Sequence, residues 1–208
     1  MIFSSKLIED AVAQFSKLPG IGKKTALRLV LFLLKQEPSW VIQFSETLSK
    51  MRNEIMFCST CFNVSDQQIC RICNDFSRKK TQICVVENIR DVMAIEATQQ
   101  YSGLYHVLGG IISPLDGIGP DALQINALLN RITKDGIEEI IFALSPTLEG
   151  DTTTYFITKK LKDIPVKLTA ISRGVAFGGE LEYTDELTLA RSIQNRLPLD
   201  KFVSSEAN

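Results

Sequence analysis

The amino-acid sequence predicts an α/β protein in which a small helical domain precedes a mostly parallel sheet with flanking helices. Three observations predict this. Apolar residues recur at helical spacing through about the first 56 residues. Four cysteines in two close pairs follow. From about residue 80 onward, short apolar runs alternate with longer amphipathic stretches, the pattern of parallel strands joined by helices.

Three helices are predicted in the N-terminal domain, residues 1–56. The first carries its apolar residues at helical spacing: Leu7, Ile8, Ala11, Val12, Phe15 and Leu18. The second follows Gly22. The third begins near Pro38 and runs through Trp40, Val41, Phe44 and Leu48.

Four buried strands and three helices are predicted in the second domain, residues 80–175. The strands span residues 83–86, 104–108, 140–144 and 166–171, and the helices span residues 91–100, 121–133 and 153–161. Parallel sheets of this kind carry their chemistry at the carboxyl ends of the strands. We therefore expect functional residues at Glu87, at Gly109 and Gly110, and in the segment 145–151.

The charge of the chain argues against a protein that coats nucleic acid. Its 208 residues carry a net charge of −1, and the isoelectric point is about 5.9. Basic residues outnumber acidic ones in residues 1–57, whereas the reverse holds in residues 74–208. Any DNA contact is therefore expected in the N-terminal part.

The N-terminus does not have the pattern of a signal peptide, because Glu9 and Asp10 interrupt what would be its apolar part. No apolar run reaches the roughly 18 residues needed to span a bilayer. We expect a cytoplasmic protein. In that compartment thiols stay reduced, so closely spaced cysteines indicate metal binding rather than disulfides.

The four paired cysteines form a predicted zinc knuckle, residues 57–76. Cys58 and Cys61 are separated by two residues, as are Cys70 and Cys73, with eight residues between the pairs. Two such pairs supply four thiolates, the closed shell of a structural rather than a catalytic zinc ion. The alternatives are four unrelated buried cysteines or an iron–sulfur site. Cys84 lies inside a predicted strand and is expected to be part of the core.

A glycine-rich turn joins the first two predicted helices. Gly20 and Gly22 permit a tight turn and leave backbone N–H groups exposed at a helix N-terminus, where Lys23, Lys24 and Arg28 add positive charge. This is the pattern of a helix-hairpin-helix, which binds the DNA backbone without reading bases. A nucleotide-binding P-loop is excluded because Lys24 stands where Ser or Thr is required. A plain helix connection with solvated lysines remains the alternative.

Three carboxylates lie at predicted strand ends. Glu87 follows the first strand of the sheet, and Glu149 and Asp151 follow the strand 140–144. Carboxylates that converge at neighbouring strand ends can hold Mg²⁺ for phosphoryl transfer, which is a Toprim-like signature. Asp151 can equally serve as a simple helix cap.

Nearly the whole chain resembles the RecR family of bacterial recombination mediators. The matching segments, in order, are LPGIGKKTALRL, the four-cysteine knuckle, CVVEN, YHVLGGIISPLDGIGP, ALSPTLEGDTTTYFI and RGVAFGGELEYTDELTL. The resemblance implies helix-hairpin-helix, zinc knuckle and Toprim domains, followed by a C-terminal segment, residues 176–208, that is expected to contribute to assembly. The sequence departs from the family pattern at Lys23, Thr25, Asp151 and Ala176-Phe177. None of these departures removes a metal ligand or a positive charge of the hairpin.

The resemblance also implies partners and roles. Copies of the chain would assemble into a ring-like clamp on DNA, as a dimer or tetramer, within the bacterial nucleoid. RecO and RecF would act with it to place RecA on gaps covered by single-stranded-DNA-binding protein. Carried over residue by residue, DNA contacts fall on Lys24 and Arg28, with Lys23 as a further contact, and zinc ligands fall on the four cysteines. The Toprim carboxylates fall on Glu87, Glu149 and Asp151.

We predict no enzymatic activity. The four tyrosines lie in or beside predicted Toprim elements, and the single histidine, His106, lies in a predicted strand, where packing is expected rather than base catalysis. The acidic residues then have three interpretations: a vestigial metal site, a docking surface for a basic partner, or an active Mg²⁺ site. We favour docking. The alternative function is a Toprim enzyme that cuts or joins phosphodiesters, and a purely protein-binding adaptor is a third possibility.

Overall fold

The computed structural model describes residues 5–175, 178–196 and 198, so the predicted C-terminal segment lies only partly within it and Ala176-Phe177 lies outside it. The chain divides into two compact units between Ile55 and Met56. The first contains three helices, and the second contains a two-stranded ribbon, a four-stranded sheet and further helices. The predicted α/β fold class is confirmed. No helix among the described residues is long and apolar enough to cross a membrane.

The core of the first unit lies between two helices, α1 (Lys6–Phe15) and α2 (Lys23–Leu34). Its buried residues are Val12, Ala26 and Val30. The third helix, α3 (Pro38–Glu54), begins with a proline at its first turn, where no intrahelical N–H is needed, and buries no residue.

The second unit opens with the cysteine module. Strands β1 (Met56–Phe57) and β2 (Val64–Ser65) form an antiparallel ribbon, and a single helical turn, α4 (Arg71–Asn74), follows. A module of this size cannot bury a core of its own. Its stability must come from a bound metal and from packing on its neighbours.

The sheet consists of four parallel strands in the order β4-β3-β5-β6. These are β3 (Lys79–Val86), β4 (Gly103–Val107), β5 (Glu139–Ala143) and β6 (Lys167–Ala170). In register, Val86 pairs with Val107 on one side and with Ala143 on the other. The residues that follow these three positions therefore meet at one edge of the sheet.

Helices cover the two apolar faces of the sheet. They are α5 (Ile89–Ala97), α6 (Ile125–Lys134) and α7 (Leu148–Lys160), and α8 (Glu186–Gln194) follows the last strand. Alternation along β3 sends Ile83 and Val85 into one buried cluster, and Cys84 and Val86 into the other.

Helix α7 begins earlier than the predicted residue 153, because its N-terminus is capped at Thr147. The Thr147 hydroxyl accepts a hydrogen bond of 3.2 Å from the Gly150 N–H. The interpretation of Asp151 as a cap is therefore wrong. Glu149 and Asp151 lie in the first helical turn, where negative charge is favourable, rather than in the loop before it.

Candidate functional site

The Sγ atoms of Cys58, Cys61, Cys70 and Cys73 all lie within 4.8 Å of one another. The first three cysteines are buried and the fourth is half-buried. The Cys70 N–H donates to Cys58 Sγ at 3.3 Å, and the Cys73 N–H donates to Cys70 Sγ at 3.4 Å. Such donors stabilise thiolates. Four sulfurs at this spacing fit a tetrahedral zinc ion, whose bonds to sulfur are about 2.3 Å long.

The crowding of these sulfurs also indicates a cation. The hydrogen bond between the Cys61 and Cys70 thiols, whose Sγ atoms are 3.5 Å apart, raises the pKa of Cys61 and lowers that of Cys70. One thiol therefore keeps its proton so that its neighbour can carry charge. Four thiolates together require a positive ion among them.

The turn between α1 and α2 has the geometry that the glycine pattern predicts. Gly20 adopts a left-handed backbone with φ of +78°, and Gly22 is the N-cap of α2. No side chain caps this helix end, so its first N–H groups point outward without an intrahelical partner. Lys23, Lys24 and Arg28 are exposed and form no ion pair among the described residues.

One face of α2 carries a basic residue that the sequence reasoning missed. A shallow groove of about 460 Å³ is lined by Lys24, Leu27, Arg28, Leu31, Phe32 and Lys35. Lys24, Arg28 and Lys35 lie four and seven residues apart, the spacing that places side chains on one helix face. Lys23 does not line this groove. Helical periodicity counted on from Lys24 is the signal that identifies Lys35.

The three predicted carboxylates have three different surroundings. Glu87 Oε1 accepts a hydrogen bond of 2.5 Å from the Ser145 N–H, which joins the ends of β3 and β5. Asp151 accepts hydrogen bonds from Arg173 and Arg191. Glu149 is half-buried, and its carboxylate has no hydrogen-bond or ion-pair partner within residues 5–175, 178–196 and 198. In that part of the chain, the cysteines are the only cluster of three or more metal-binding side chains.

Four family models match the chain in order. The RecR helix-hairpin-helix model matches residues 8–52, the RecR four-cysteine zinc finger domain residues 55–75, the Toprim domain residues 81–172, and the RecR C-terminal model residues 174–197. The recombination protein RecR of Amoebophilus asiaticus is 59% identical over 95% of this chain and 98% of its own length. The chain belongs to the RecR family.

Further members of the RecR family are similar over nearly their whole lengths. The recombination protein RecR of Bacteroides fragilis is 57% identical over 93% of this chain and 95% of its own length. That of Cytophaga hutchinsonii is 57% identical over 94% of this chain and 96% of its own length. The zinc-finger match and the clustered sulfurs together establish a structural zinc ion held by the four cysteines.

The zinc finger lies against the edge strand of the Toprim sheet. The Val107 N–H on the open side of β4 donates to the Cys61 carbonyl oxygen at 2.8 Å. Next to it, the Phe62 ring packs edge-on against His106, with ring centroids 5.4 Å apart. The zinc finger thus covers a sheet edge that would otherwise expose unpaired backbone groups.

His106 is buried within the Toprim domain, as its place in a strand predicted. Its Nε2 lies 2.8 Å from the Gln124 carbonyl oxygen, which can only accept, so Nε2 carries the proton. Burial lowers the pKa of His106 to about 4.

The four tyrosines have different surroundings. The Tyr105 hydroxyl donates to Glu96, and the Tyr101 hydroxyl donates to the Leu104 carbonyl oxygen. Tyr155 and Tyr183 are exposed.

Gly150 is a second residue that sequence reasoning missed. A Cβ atom at this position would lie 2.0 Å from the Ser145 carbonyl oxygen, far inside van der Waals contact. Only glycine therefore allows the first turn of α7 to approach the end of β5. Because Gly150 lies between Glu149 and Asp151, this close approach determines the position of both acidic residues relative to the end of β5.

Proposed function

We propose that this RecR-family protein is a non-enzymatic accessory protein of recombinational DNA repair. It binds DNA without sequence preference and acts with RecO and RecF to load RecA on gapped DNA coated by single-stranded-DNA-binding protein. The uncapped N-terminus of α2, beside three exposed cations, carries the DNA-binding part of this proposal. Backbone N–H groups and lysines at a helix start bind phosphate and carry no base preference.

The DNA contact is tested with Lys24→Ala combined with Arg28→Ala. Each lost phosphate contact lowers the slope of log affinity against log salt by roughly 0.7 to 0.9, so the double variant should show a slope smaller by about 1.5. The matched control is Lys50→Ala with Arg52→Ala, two exposed cations of α3. An unchanged slope in the hairpin variant, with an unchanged circular dichroism spectrum, would refute the assignment.

Self-assembly is supported by an apolar stripe on α3. Phe44, Leu48 and Met51 on this helix and its C-cap residue Ile55 recur every three or four residues, and each exposes at least 38% of its surface. Such a stripe is typical of helix pairing between chains. Leu48→Ser with Met51→Ser should lower the mass of the particle in multi-angle light scattering. Ser45→Ala with Thr47→Ala, on the same helix, should leave the mass unchanged.

Docking of a basic partner, such as RecO, at the Toprim carboxylates is supported by Glu149. This carboxylate forms no hydrogen bond or ion pair with another described side chain, so an incoming lysine or arginine can pair with it. Glu149→Gln should weaken RecO binding most at low salt. Glu46→Gln, an exposed carboxylate of the first unit, is the matched control. Equal RecO affinity for wild type and Glu149→Gln would contradict the docking interpretation.

The alternative of a Mg²⁺-dependent Toprim enzyme is tested on supercoiled DNA. We expect no nicking in the presence of Mg²⁺. Nicking that disappears in Glu87→Gln, with the fold unchanged, would establish the enzyme in place of the accessory role.

A further inference from the structure

Both carboxylate oxygens of Asp151 are paired with arginines. Arg173 Nη1 lies 2.5 Å from Oδ1, and Arg191 Nη2 lies 3.4 Å from Oδ2. The three side chains expose between 27% and 39% of their surface, so the group is partly withdrawn from solvent. Two guanidinium groups on one carboxylate bring the same positive charge as a single divalent cation.

The two arginines come from parts of the chain that lie beyond the sheet. Arg173 follows β6, and Arg191 lies on α8. They also line a cleft of about 420 Å³, whose apolar wall includes Leu144, Ile171 and Leu187. The cations therefore reach Asp151 from outside the Toprim sheet and hold the segment that carries them against its carboxyl edge.

Glu87 and Glu149 do not supply a metal site in place of Asp151. Glu87 is engaged by the Ser145 N–H, and the side chains of Glu87, Glu149 and Asp151 do not form a metal-binding cluster within the part of the chain that the structure describes. Mg²⁺ takes an octahedral shell of hard oxygens and is held through one or two carboxylates. At Asp151 it would meet two guanidinium groups and a carboxylate whose oxygens are already used. The residues present do not fit Mg²⁺.

We propose that Arg173 and Arg191 take the place of a divalent cation at the Toprim carboxylates, so that this protein binds no Mg²⁺ there. The arginines neutralise Asp151 from within the chain, whereas Glu87 and Glu149 form no ion pair within the part of the chain that the structure describes. A metal ion could enter only if both ion pairs broke. The geometry at Asp151 carries this inference, and it does not depend on the proposed role in DNA repair.

Mn²⁺ is the probe, because it shares the preference of Mg²⁺ for carboxylate oxygen and competes poorly for the thiolates of the zinc site. Free Mn²⁺ is measured by electron paramagnetic resonance during titration of the zinc-loaded protein. Wild type should show no saturable site up to millimolar Mn²⁺. Arg173→Gln with Arg191→Gln should bind at least tenfold more tightly, and adding Asp151→Asn should abolish the gain.

Two controls separate charge from position. Arg90→Gln with Arg196→Gln removes two exposed arginines that do not contact Asp151, and it should leave Mn²⁺ binding at the wild-type level. Arg173→Lys with Arg191→Lys keeps both charges and should also bind no Mn²⁺. Saturable Mn²⁺ binding by wild type that Asp151→Asn removes would overturn the proposal. A folded Arg173→Gln, Arg191→Gln protein that gains no Mn²⁺ site would overturn it too.

A second measurement leaves the arginines in place, in case their loss impairs folding. Asp151→Asn should speed trypsin cleavage after Arg173 and Arg191 at least fivefold, because their guanidinium groups lose the carboxylate that holds them. Glu149→Gln, two residues away and without a paired side chain, should leave these rates unchanged. Equal cleavage rates in the two variants would show that the arginines are not held by Asp151.

Discussion

The backbone N–H of Val107 donates a hydrogen bond of 2.8 Å to the carbonyl oxygen of Cys61. This bond joins a zinc ligand to the outer side of β4, the edge strand of the Toprim sheet. A zinc ion bound by Cys61 would therefore fix more than its own loop. It would also hold the peptide that bonds to this edge of the sheet and the neighbouring Phe62 ring, which packs against His106.

Loss of one zinc ligand should open the β4 edge. Cys61→Ser is expected to abolish zinc binding and to remove several kcal/mol of stability, because a metal module of this size folds only with its ion. Hydrogen exchange at the Val107 N–H should accelerate strongly. Cys84→Ser, a buried cysteine outside the cluster, should keep its zinc content by elemental analysis. Retained protection at Val107 in zinc-free Cys61→Ser would contradict this link.

Gly150→Ala should displace the start of α7. The added methyl group would meet the Ser145 carbonyl oxygen, so the backbone must shift, at a cost of about 1–3 kcal/mol typical of overpacking. Chemical denaturation measures this loss. Gly119→Ala, where a Cβ meets no atom within 4 Å, is the matched control and should change stability little. A similar midpoint for both variants would refute the close approach.

The stability of the second unit should fall as the solution is acidified through His106 titration. Burial lowers the pKa of His106 to about 4 from its ordinary 6.5, and nearby Arg131 contributes to the shift. The unfolded chain therefore binds more protons between these values. The resulting stability is complete above pH 6.5 and is lost as the pH falls toward 4. At pH 5 the loss is about 2 kcal/mol.

His106→Gln isolates this contribution, because glutamine can still donate to the Gln124 carbonyl and does not titrate. Denaturation at pH 7 and pH 5 should show a smaller loss in the variant than in wild type, by about 2 kcal/mol. Protonation of the zinc thiolates affects both proteins alike. Identical pH dependence in the two proteins would argue against a neutral, buried imidazole.

Lys35→Ala should weaken DNA binding although Lys35 lies outside the hairpin turn. It shares the groove on α2 with Lys24 and Arg28, so a phosphate chain that follows this face reaches it. The salt slope should fall by about 0.7 to 0.9. Lys17→Ala, before the turn and absent from this groove, should have a smaller effect. A larger loss of DNA affinity in Lys17→Ala than in Lys35→Ala would indicate that the DNA binds another face of the domain.

Local sequence patterns were sufficient for most of the architecture. The spacing of the cysteines identified the four zinc ligands, and the alternation of apolar runs gave the parallel sheet with its helices. The glycines of the hairpin predicted a turn that needs a left-handed residue, and Gly20 has that conformation. Each of these features depends on residues close together in the chain, where spacing and backbone sterics act directly.

Helix α7 starts five residues earlier than the apolar pattern of the sequence predicts. Thr147 is the N-cap of this helix. The first turn is hard to predict because Pro146 precedes the cap and residues 148–152 show only a weak apolar pattern. The place of Glu149 and Asp151 on a helix follows from that cap. Gly150 could not be understood from its neighbours, because the atom that excludes a side chain belongs to Ser145 in the preceding loop.

The sequence by itself determined the order of the helical hairpin, zinc module and parallel sheet, and it determined which residues bind zinc. Only the tertiary structure decided how the acidic residues are used. Asp151 meets Arg173 and Arg191, which are 22 and 40 residues away along the chain, while Glu149, its near neighbour, meets neither. Pattern and spacing carry no information about such pairs. They form because the fold brings distant charges together, and opposite charges that are partly withdrawn from water attract more strongly than exposed ones.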